Sequence, residues 1–252
     1  MVVDHADVAI AAPRSLPRGP HRLPREVVIL SQRRRLLDGI VAAVAEKGYA
    51  PTTVADVIRN ARVSRTTFYE QFADKEDCFL AAYDDGGRTH YQLVAEAVDQ
   101  AVDLVDQVRL GVRAYLDALA AYPAFARAFL LEVFAAGPKA ARKRAEHQAR
   151  YIALLRRSYE RARADDPGLP ELSHAVFQAA ATAVDSLVTT CLWEERPDDI
   201  PALEPTALYV LLSVLGLPHH ARAALGGDGH AVGHLSSEAE RIGRQHAQNS
   251  PG

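Results

Sequence analysis

The chain has 252 residues, 48 % of them hydrophobic, enough to bury a sizeable core as one large or two small domains. Its two cysteines, Cys78 and Cys191, are isolated on apolar helical stretches, which excludes a disulfide-stapled scaffold and reads as reduced, buried thiols in a cytoplasmic protein, with redox sensing as the alternative. No run of 18 apolar residues occurs, the first 30 residues lack the apolar core of a signal peptide, and the net charge of -3 at first argues against a nucleic-acid partner.

The charge distribution argues the other way. Residues 13–75 hold 12 Lys and Arg against 6 Asp and Glu, while the rest of the chain holds 17 against 26, so the amino end is basic. Residues 1–30 read as a disordered basic arm, with Arg14, Arg18, Arg22 and Arg25 spaced among prolines, either following a DNA backbone or serving as a solvated leader. A helix is predicted from about Ser31 to Lys47, with Leu37, Ile40, Val41 and Val44 inward and Gly48 at its end. Arg33, Arg34 and Arg35 sit on its exposed side, as phosphate contacts or as a solvated face.

Thr52 to Phe79 carries the strongest pattern. Val54, Val57, Ile58 and Ala61 recur at i, i+3, i+4 and i+7, one stripe of a short amphipathic helix with Thr53 as N-cap. Residues 61–63 are too short a link for anything but a turn, and Ser64 can cap a second helix beginning at Arg65. Phe68 and Phe72 face a core, which leaves Arg65, Thr66, Thr67, Tyr69 and Gln71 pointing elsewhere. That is the pattern of a helix-turn-helix, whose second helix lays its first residues against base edges in the major groove. Arg65 suits a guanine edge, Thr66 and Thr67 suit bases or phosphates, and Tyr69 can donate to a phosphate oxygen. Lys75 opens another helix after Asp74, adding charge to amides already suited to anions. A generic helical hairpin is the competing reading.

The whole string resembles the DNA-binding domain of the tetracycline-repressor (TetR) family of bacterial transcription regulators. The likeness runs from about Gln32 to Tyr83 and rests on Glu46-Lys47-Gly48-Tyr49, Thr52-Thr53-Val54, Val63-Ser64-Arg65, Thr67-Phe68-Tyr69, Phe72 and Lys75-Glu76. It implies that Thr53, Ser64, Arg65, Thr66, Thr67, Tyr69 and Lys75 match positions that touch double-stranded DNA. One residue departs from the family. Where the turn usually has glycine this chain has Arg62, at a cost of about 1 kcal/mol if a left-handed conformation is kept, and with the reach for a phosphate.

The remainder reads as helices. The fourth runs from Lys75, weakens at Gly86-Gly87 as a candidate kink, and resumes to about Gln100. Next comes about Leu104 to Ala121, then an aromatic stripe of Phe125, Phe129, Leu130, Val133 and Phe134 after Pro123, then about Pro138 to Ala164. This last helix carries nine Lys and Arg from Lys139 to Arg163 against two Glu, and reads as a solvated face rather than a second nucleic-acid surface. Leu172 to Trp193 and Glu204 to Leu217 are the last two clear helices. Ala179, Ala183 and Leu187 on the first, with Leu208, Leu211, Leu212 and Leu215 on the second, form a candidate homodimer seam, like the four-helix bundle that the resemblance implies. The alternative is that both helices close the monomer core.

These readings give an all-α protein of about nine helices: an arm over 1–30, a helix-turn-helix domain over 31–83 with its two short helices at about 53–73, a larger helical effector-binding and dimerisation domain over 84–218, and a disordered tail over 219–252. His230 and His234 in that tail are four apart, but Gly229 and Gly233 argue against a metal-binding helix, so no metal is expected. No catalytic motif emerges and no cofactor is expected. Tyr115, Phe125, Phe129, Phe134, Tyr151, Tyr159 and Trp193 are the candidates to line an apolar pocket for a small organic effector. The resemblance implies a dimeric repressor released from a palindromic operator by that ligand. The alternatives are a DNA-binding regulator without an effector, and a helical ligand-binding protein or enzyme with a vestigial helix-turn-helix.

Overall fold

The computed structural model describes residues 24–226. Those residues form ten α-helices, joined by turns and two short 3-10 segments, with no strand among them. In chain order the helices are α1 (Arg25–Lys47), α2 (Val54–Ala61), α3 (Arg65–Gln71), α4 (Lys75–Asp99), α5 (Leu104–Ala121), α6 (Pro123–Leu130), α7 (Pro138–Asp165), α8 (His174–Trp193), α9 (Glu204–Val214) and α10 (Pro218–Leu225).

Two ends differ from the expected boundaries. α1 starts at Arg25, inside the segment expected to be a disordered arm. Nothing between Pro24 and Ser31 breaks a helix, and the Pro24 carbonyl accepts from the Val27 and Val28 amides, so the helix extends back to the proline. α10 likewise occupies the start of the expected tail and carries His219 and His220, with Pro218 in its first turn. The rest of the arm, together with His230, His234 and His246, lies outside the described residues.

Both halves share one core. Leu36, Ile40 and Val44 of α1 pack with Val57 and Ala61 of α2, and Phe68 of α3 is fully enclosed. Cys78 and Phe79 bring the start of α4 into the same core. Burial holds the Cys78 thiol protonated, pushed up to about 12, and raises that of Cys191. Both thiols are therefore inert core groups.

α4 is one continuous helix through Gly86 and Gly87, the candidate kink. The glycines serve close packing. A Cβ on Gly86 would lie 2.3 Å from the Phe125 ring, and one on Gly87 would lie 2.7 Å from His147, so α6 and α7 approach α4 only because no side chain stands there. The aromatic stripe after Pro123 also divides. α6 stops at Leu130 and a 3-10 turn at Glu132–Phe134 follows, which turns Phe134 out to solvent.

α8 alone among the described helices is long and apolar enough to cross a membrane, by length and by its mean hydropathy of 1.4. It nevertheless packs on α7 and α9, and its one carboxylate, Asp185, is bonded to Arg144 of α7. Those contacts bury one face of the helix, a third of its apolar window.

The two short helices are fixed by local chemistry. The Thr53 hydroxyl accepts from the Asp56 amide while the Asp56 carboxylate accepts from the Thr53 amide at 2.9 Å, a reciprocal capping box. The same carboxylate takes Lys47 and Arg59, at 2.9 Å for the latter. The Lys47 bond above all, with the Thr53 bonds, holds the Asp56 carboxyl well below the usual carboxylate range. After α2 the chain turns at Arg62, with φ 52 and ψ 48 in the left-handed region. The Arg62 carbonyl then accepts from Arg35 of α1 at 3.3 Å.

Two consequences are measurable. Arg62→Gly removes the side-chain cost of the left-handed turn and raises the unfolding free energy by about 0.5 to 1 kcal/mol, read as a higher denaturant midpoint at unchanged slope. For Asp56 the folded carboxyl is the stronger acid. Its contribution is therefore complete above about pH 4 and is lost as pH falls below that value. Thermal unfolding of wild type and Asp56→Asn at pH 6, 4 and 3 should show a gap that is open at pH 6 and closes as the solution is acidified.

Candidate nucleic-acid interface and the cavity behind it

Ser64 caps α3, its hydroxyl accepting from the Thr67 amide at 3.0 Å and lying 2.8 Å from the Thr67 hydroxyl. Phe68 and Phe72 anchor the helix inward. This fixes the opposite face outward, where Ser64, Arg65, Thr66 and Tyr69 are exposed and Thr67 is half-buried. Arg65 and Tyr69 are one turn apart and work as a pair. The guanidinium lies 5.2 Å from the Tyr69 ring centre and donates to its hydroxyl at 3.3 Å, leaving the phenolic proton free to donate outward. Neither Arg62 nor Arg65 forms an ion pair among the described residues, so both charges face solvent. The short basic and aromatic face has the chemistry for phosphate and base edges.

Thr53 and Lys75 stand differently. The Thr53 hydroxyl already works as the α2 cap and contacts the Asp56 carboxylate at 2.6 Å. The Lys75 ammonium turns back onto the loop before α2, donating to the carbonyls of Tyr49 at 2.8 Å and Ala50 at 3.4 Å and lying 4.1 Å from the Tyr49 ring centre. It braces the reading head, whatever it does toward DNA.

Contacts that the sequence did not reveal fasten this head to the larger domain. Glu132, in the 3-10 turn after α6, accepts from the Tyr49 amide at 2.8 Å, directly beside Gly48 at φ 85. Arg34 of α1 bonds Asp85 of α4 at 3.0 Å, and Lys139 of α7 bonds Glu76 at 2.8 Å.

Behind α4 lies a cavity of about 110 Å³, walled by α4, α5, α7 and α8 with single residues of α6 and α9. Of the seven aromatic candidates, Tyr115, Phe129 and Tyr151 line it. The other four are elsewhere for separate reasons. Phe125 packs against Phe129 and Gly86 from behind. Tyr159 is buried with its hydroxyl donated to the Pro170 carbonyl at 2.7 Å. Phe134 and Trp193 are 62 % and 66 % exposed.

The cavity's polar residues escaped the sequence reading. Asp185 accepts from Tyr115 at 2.5 Å, Arg144 at 2.9 Å and Gln148 at 3.2 Å. His90 touches Tyr151 at 2.6 Å through Nδ1 and the Tyr115 carbonyl at 3.2 Å through Nε2. Burial pushes the imidazole down to about 4, so it is neutral, donating from Nε2 and accepting the Tyr151 proton at Nδ1. A lone aspartate in an otherwise apolar helix was the one available signal for this cluster.

The expected dimer residues also divide. Ala179 is exposed, and Ala183 and Leu187 are half-buried. By contrast Leu208, Leu211, Leu212 and Leu215 are buried within the single chain, because α9 turns its leucines toward α5 and α8. The outward face of α9 carries Tyr209 and Val214 instead.

Among curated proteins no relative matches the chain. Residues 36–82 match the pattern described as bacterial regulatory proteins, tetR family. Among solved structures the fold resembles the fatty acid degradation regulator FadR from Bacillus halodurans, at 23 % identity and a TM-score of 0.65 over 71 % of this chain and 97 % of that one. It also resembles the regulator FadR from Bacillus subtilis, solved in complex with stearoyl-CoA, at 20 % identity and a TM-score of 0.66 over 72 % and 98 % of the two chains. A third likeness is SCO4454 from Streptomyces coelicolor, a TetR-family regulator, at 20 % identity and a TM-score of 0.57 over 73 % and 88 %. The matched segment falls on α1 to α4, so residues 36–82 are similar to the tetR family of bacterial regulatory proteins, and the chain as a whole shares the fold of these solved regulators.

Proposed function

We propose that the protein is a cytoplasmic, homodimeric repressor that leaves a palindromic operator when a small apolar or amphipathic ligand enters the cavity. The observation that carries this reading is the double duty of α4, which supplies Cys78 and Phe79 to the core of the reading head and Val94 and Val98 to the cavity wall. A ligand that prefers one position of α4 also prefers one position of the head, and shifts the population by that preference. The stearoyl-CoA held by the Bacillus subtilis FadR structure supports an apolar ligand in a fold of this kind. A coupling of about 1 to 3 kcal/mol corresponds to 5- to 150-fold release.

In this reading Arg65, Thr66, Thr67 and Tyr69 meet bases and phosphates, Ser64 and Thr53 present the helix starts to the backbone, and Lys75 acts through the loop it braces. The dimer has a physical motive, since one short helix makes few contacts, and two heads about 34 to 36 Å apart would meet successive major grooves. Ala179, Ala183 and Leu187 of α8 with Tyr209 and Val214 of α9 supply the outward surface for the seam. The alternative without an effector is separated from this one by whether any compound lowers the affinity for DNA fragments selected from the genome.

Arg65→Ala should cost about 1 to 3 kcal/mol of binding to a selected fragment and relax preference at one base pair, whereas Tyr69→Phe should weaken all sequences evenly. Fluorescence anisotropy with matched and substituted duplexes distinguishes the two, and equal affinities for wild type and Arg65→Ala would count against this docking. For the seam, Ala179→Glu should give a folded monomer with weak DNA binding by light scattering and anisotropy, since the residue is exposed in the single chain. Leu211→Glu should instead lower the melting temperature, because that side chain is in the core.

A further inference from the structure

The turn between α2 and α3 closes on its own main chain. The Arg62 amide donates to the Arg59 carbonyl and the Val63 amide to the Ile58 carbonyl, both at 3.3 Å, and Arg35 of α1 holds the Arg62 carbonyl. None of these bonds uses the Arg62 side chain. The backbone at this residue is left-handed, with φ 52 and ψ 48, a conformation that strains any residue with a Cβ and leaves glycine unstrained. Arginine nevertheless occupies it.

The Arg62 side chain is exposed and makes no hydrogen bond, ion pair or ring contact among the described residues. Its basic neighbours are engaged: Lys47 and Arg59 with Asp56, Arg34 with Asp38 and Asp85, and Lys75 with the Tyr49 carbonyl. Arg59 already places a cation in the last turn of α2, so the negative end of that helix has one without Arg62. A strained position held by a side chain that the fold does not use points to function. Its location narrows what that function is. Residue 62 stands two before the Ser64 cap and three before Arg65, so its backbone lies within roughly 11 Å of the start of the reading face. Each strand of a duplex carries a phosphate charge about every 3.4 Å of axis, along both walls of the groove that a docked α3 would occupy. A guanidinium suits those oxygens, being always charged and able to give two parallel N–H bonds.

We infer that Arg62 is a DNA-backbone contact: its guanidinium takes a phosphate oxygen beside the groove that α3 enters, and so fixes the register of the reading helix without reading a base. This rests on the reading of α3 as the helix that enters the major groove, and adds a contact made before that helix begins. The consequence is an opposition between stability and affinity at one position. Arg62→Gly, which relieves the turn, should hold DNA less well.

The test compares Arg62→Gly, Arg62→Ala and Arg62→Lys with wild type in the full chain. Anisotropy is read on a duplex selected from genomic DNA and on a scrambled duplex of equal length, from about 50 to 200 mM salt. Losing one phosphate contact should weaken Arg62→Gly and Arg62→Ala about five-fold or more near 100 mM salt on both duplexes, and make log affinity against log salt shallower by about one per reading head. Arg62→Lys keeps the charge and should keep the slope. Arg62→Gly should at the same time melt above wild type, so that its weaker binding is not unfolding. A purely structural role predicts a different order: Arg62→Ala, whose backbone keeps the strain, would bind as wild type does. Unchanged affinity and slope in Arg62→Ala, or a loss confined to the selected duplex, overturns the inference. Arg65→Ala on the same duplexes separates this contact from the docking of α3. If Arg65→Ala loses preference at one base pair while the Arg62 variants bind as wild type, the docking stands and the Arg62 contact falls. If the Arg62 variants weaken on both duplexes while Arg65→Ala binds as wild type, the backbone contact stands and base reading by α3 falls.

Discussion

The structure depends on how closely α6 and α7 approach α4. At Gly86 and Gly87 two rings, Phe125 and His147, occupy the space where side chains would begin. Any larger residue would push both helices away from α4, opening the joint between the reading head and the cavity. The approach is reinforced by groups that only reach when the helices are this near. The Tyr83 ring stacks on Phe129 with centroids 4.5 Å apart, its hydroxyl donates to the Phe129 carbonyl at 3.3 Å, and His147 meets Asp84 at 3.0 Å. Packed interfaces of this density shift between discrete arrangements more readily than they stretch.

That joint connects the cavity to the helix-turn-helix through packed groups. Phe129 lines the cavity and belongs to α6, and three residues later Glu132 holds the Tyr49 amide beside the helix-turn-helix. The same ring stacks on Tyr83 of α4, four residues from Phe79 in the core of the head. A displacement of Phe129 thus bears on the head through α4 and through the Glu132 turn together. Arg34 with Asp85 and Lys139 with Glu76 cross the same boundary near the surface, where ion pairs contribute little to stability but help fix register.

The reading head was legible in the sequence because its signals are local. Thr53 and Ser64 cap the helices they precede, and the spacing of Val54, Val57 and Ala61 places one face inward without reference to anything distant. Arg62 in the left-handed region follows from the same short-range logic. What the sequence hid is tertiary. Gly86 and Gly87 weaken a helical pattern when read alone, and only the rings of Phe125 and His147 show that they are spacers. A leucine stripe such as that of α9 looks identical whether it faces a partner or its own core, and contacts with α5 and α8 decide for the core. Aromatic residues at helical spacing carry no mark of cavity or surface, so Tyr115 and Trp193 read alike although one is buried and the other exposed.

Charge is organised differently in the two basic segments. Five of the nine cations of α7 are tied to carboxylates: Lys139 to Glu76, Lys143 to Asp84, Arg144 to Asp185, Arg156 to Glu160 and Arg163 to Glu171. The other four, Arg142, Arg150, Arg157 and Arg161, make no ion pair among the described residues, so the helix keeps part of its positive field. The head is organised differently. Asp56 neutralises Lys47 and Arg59, which stabilise the α2 cap, while Arg62 and Arg65 at the turn and the start of α3 make no ion pair among the described residues. Uncompensated charge thus stands where the backbone turn and the exposed face of α3 meet, beside the Tyr69 hydroxyl and the exposed Thr66, a combination a polyanion can use.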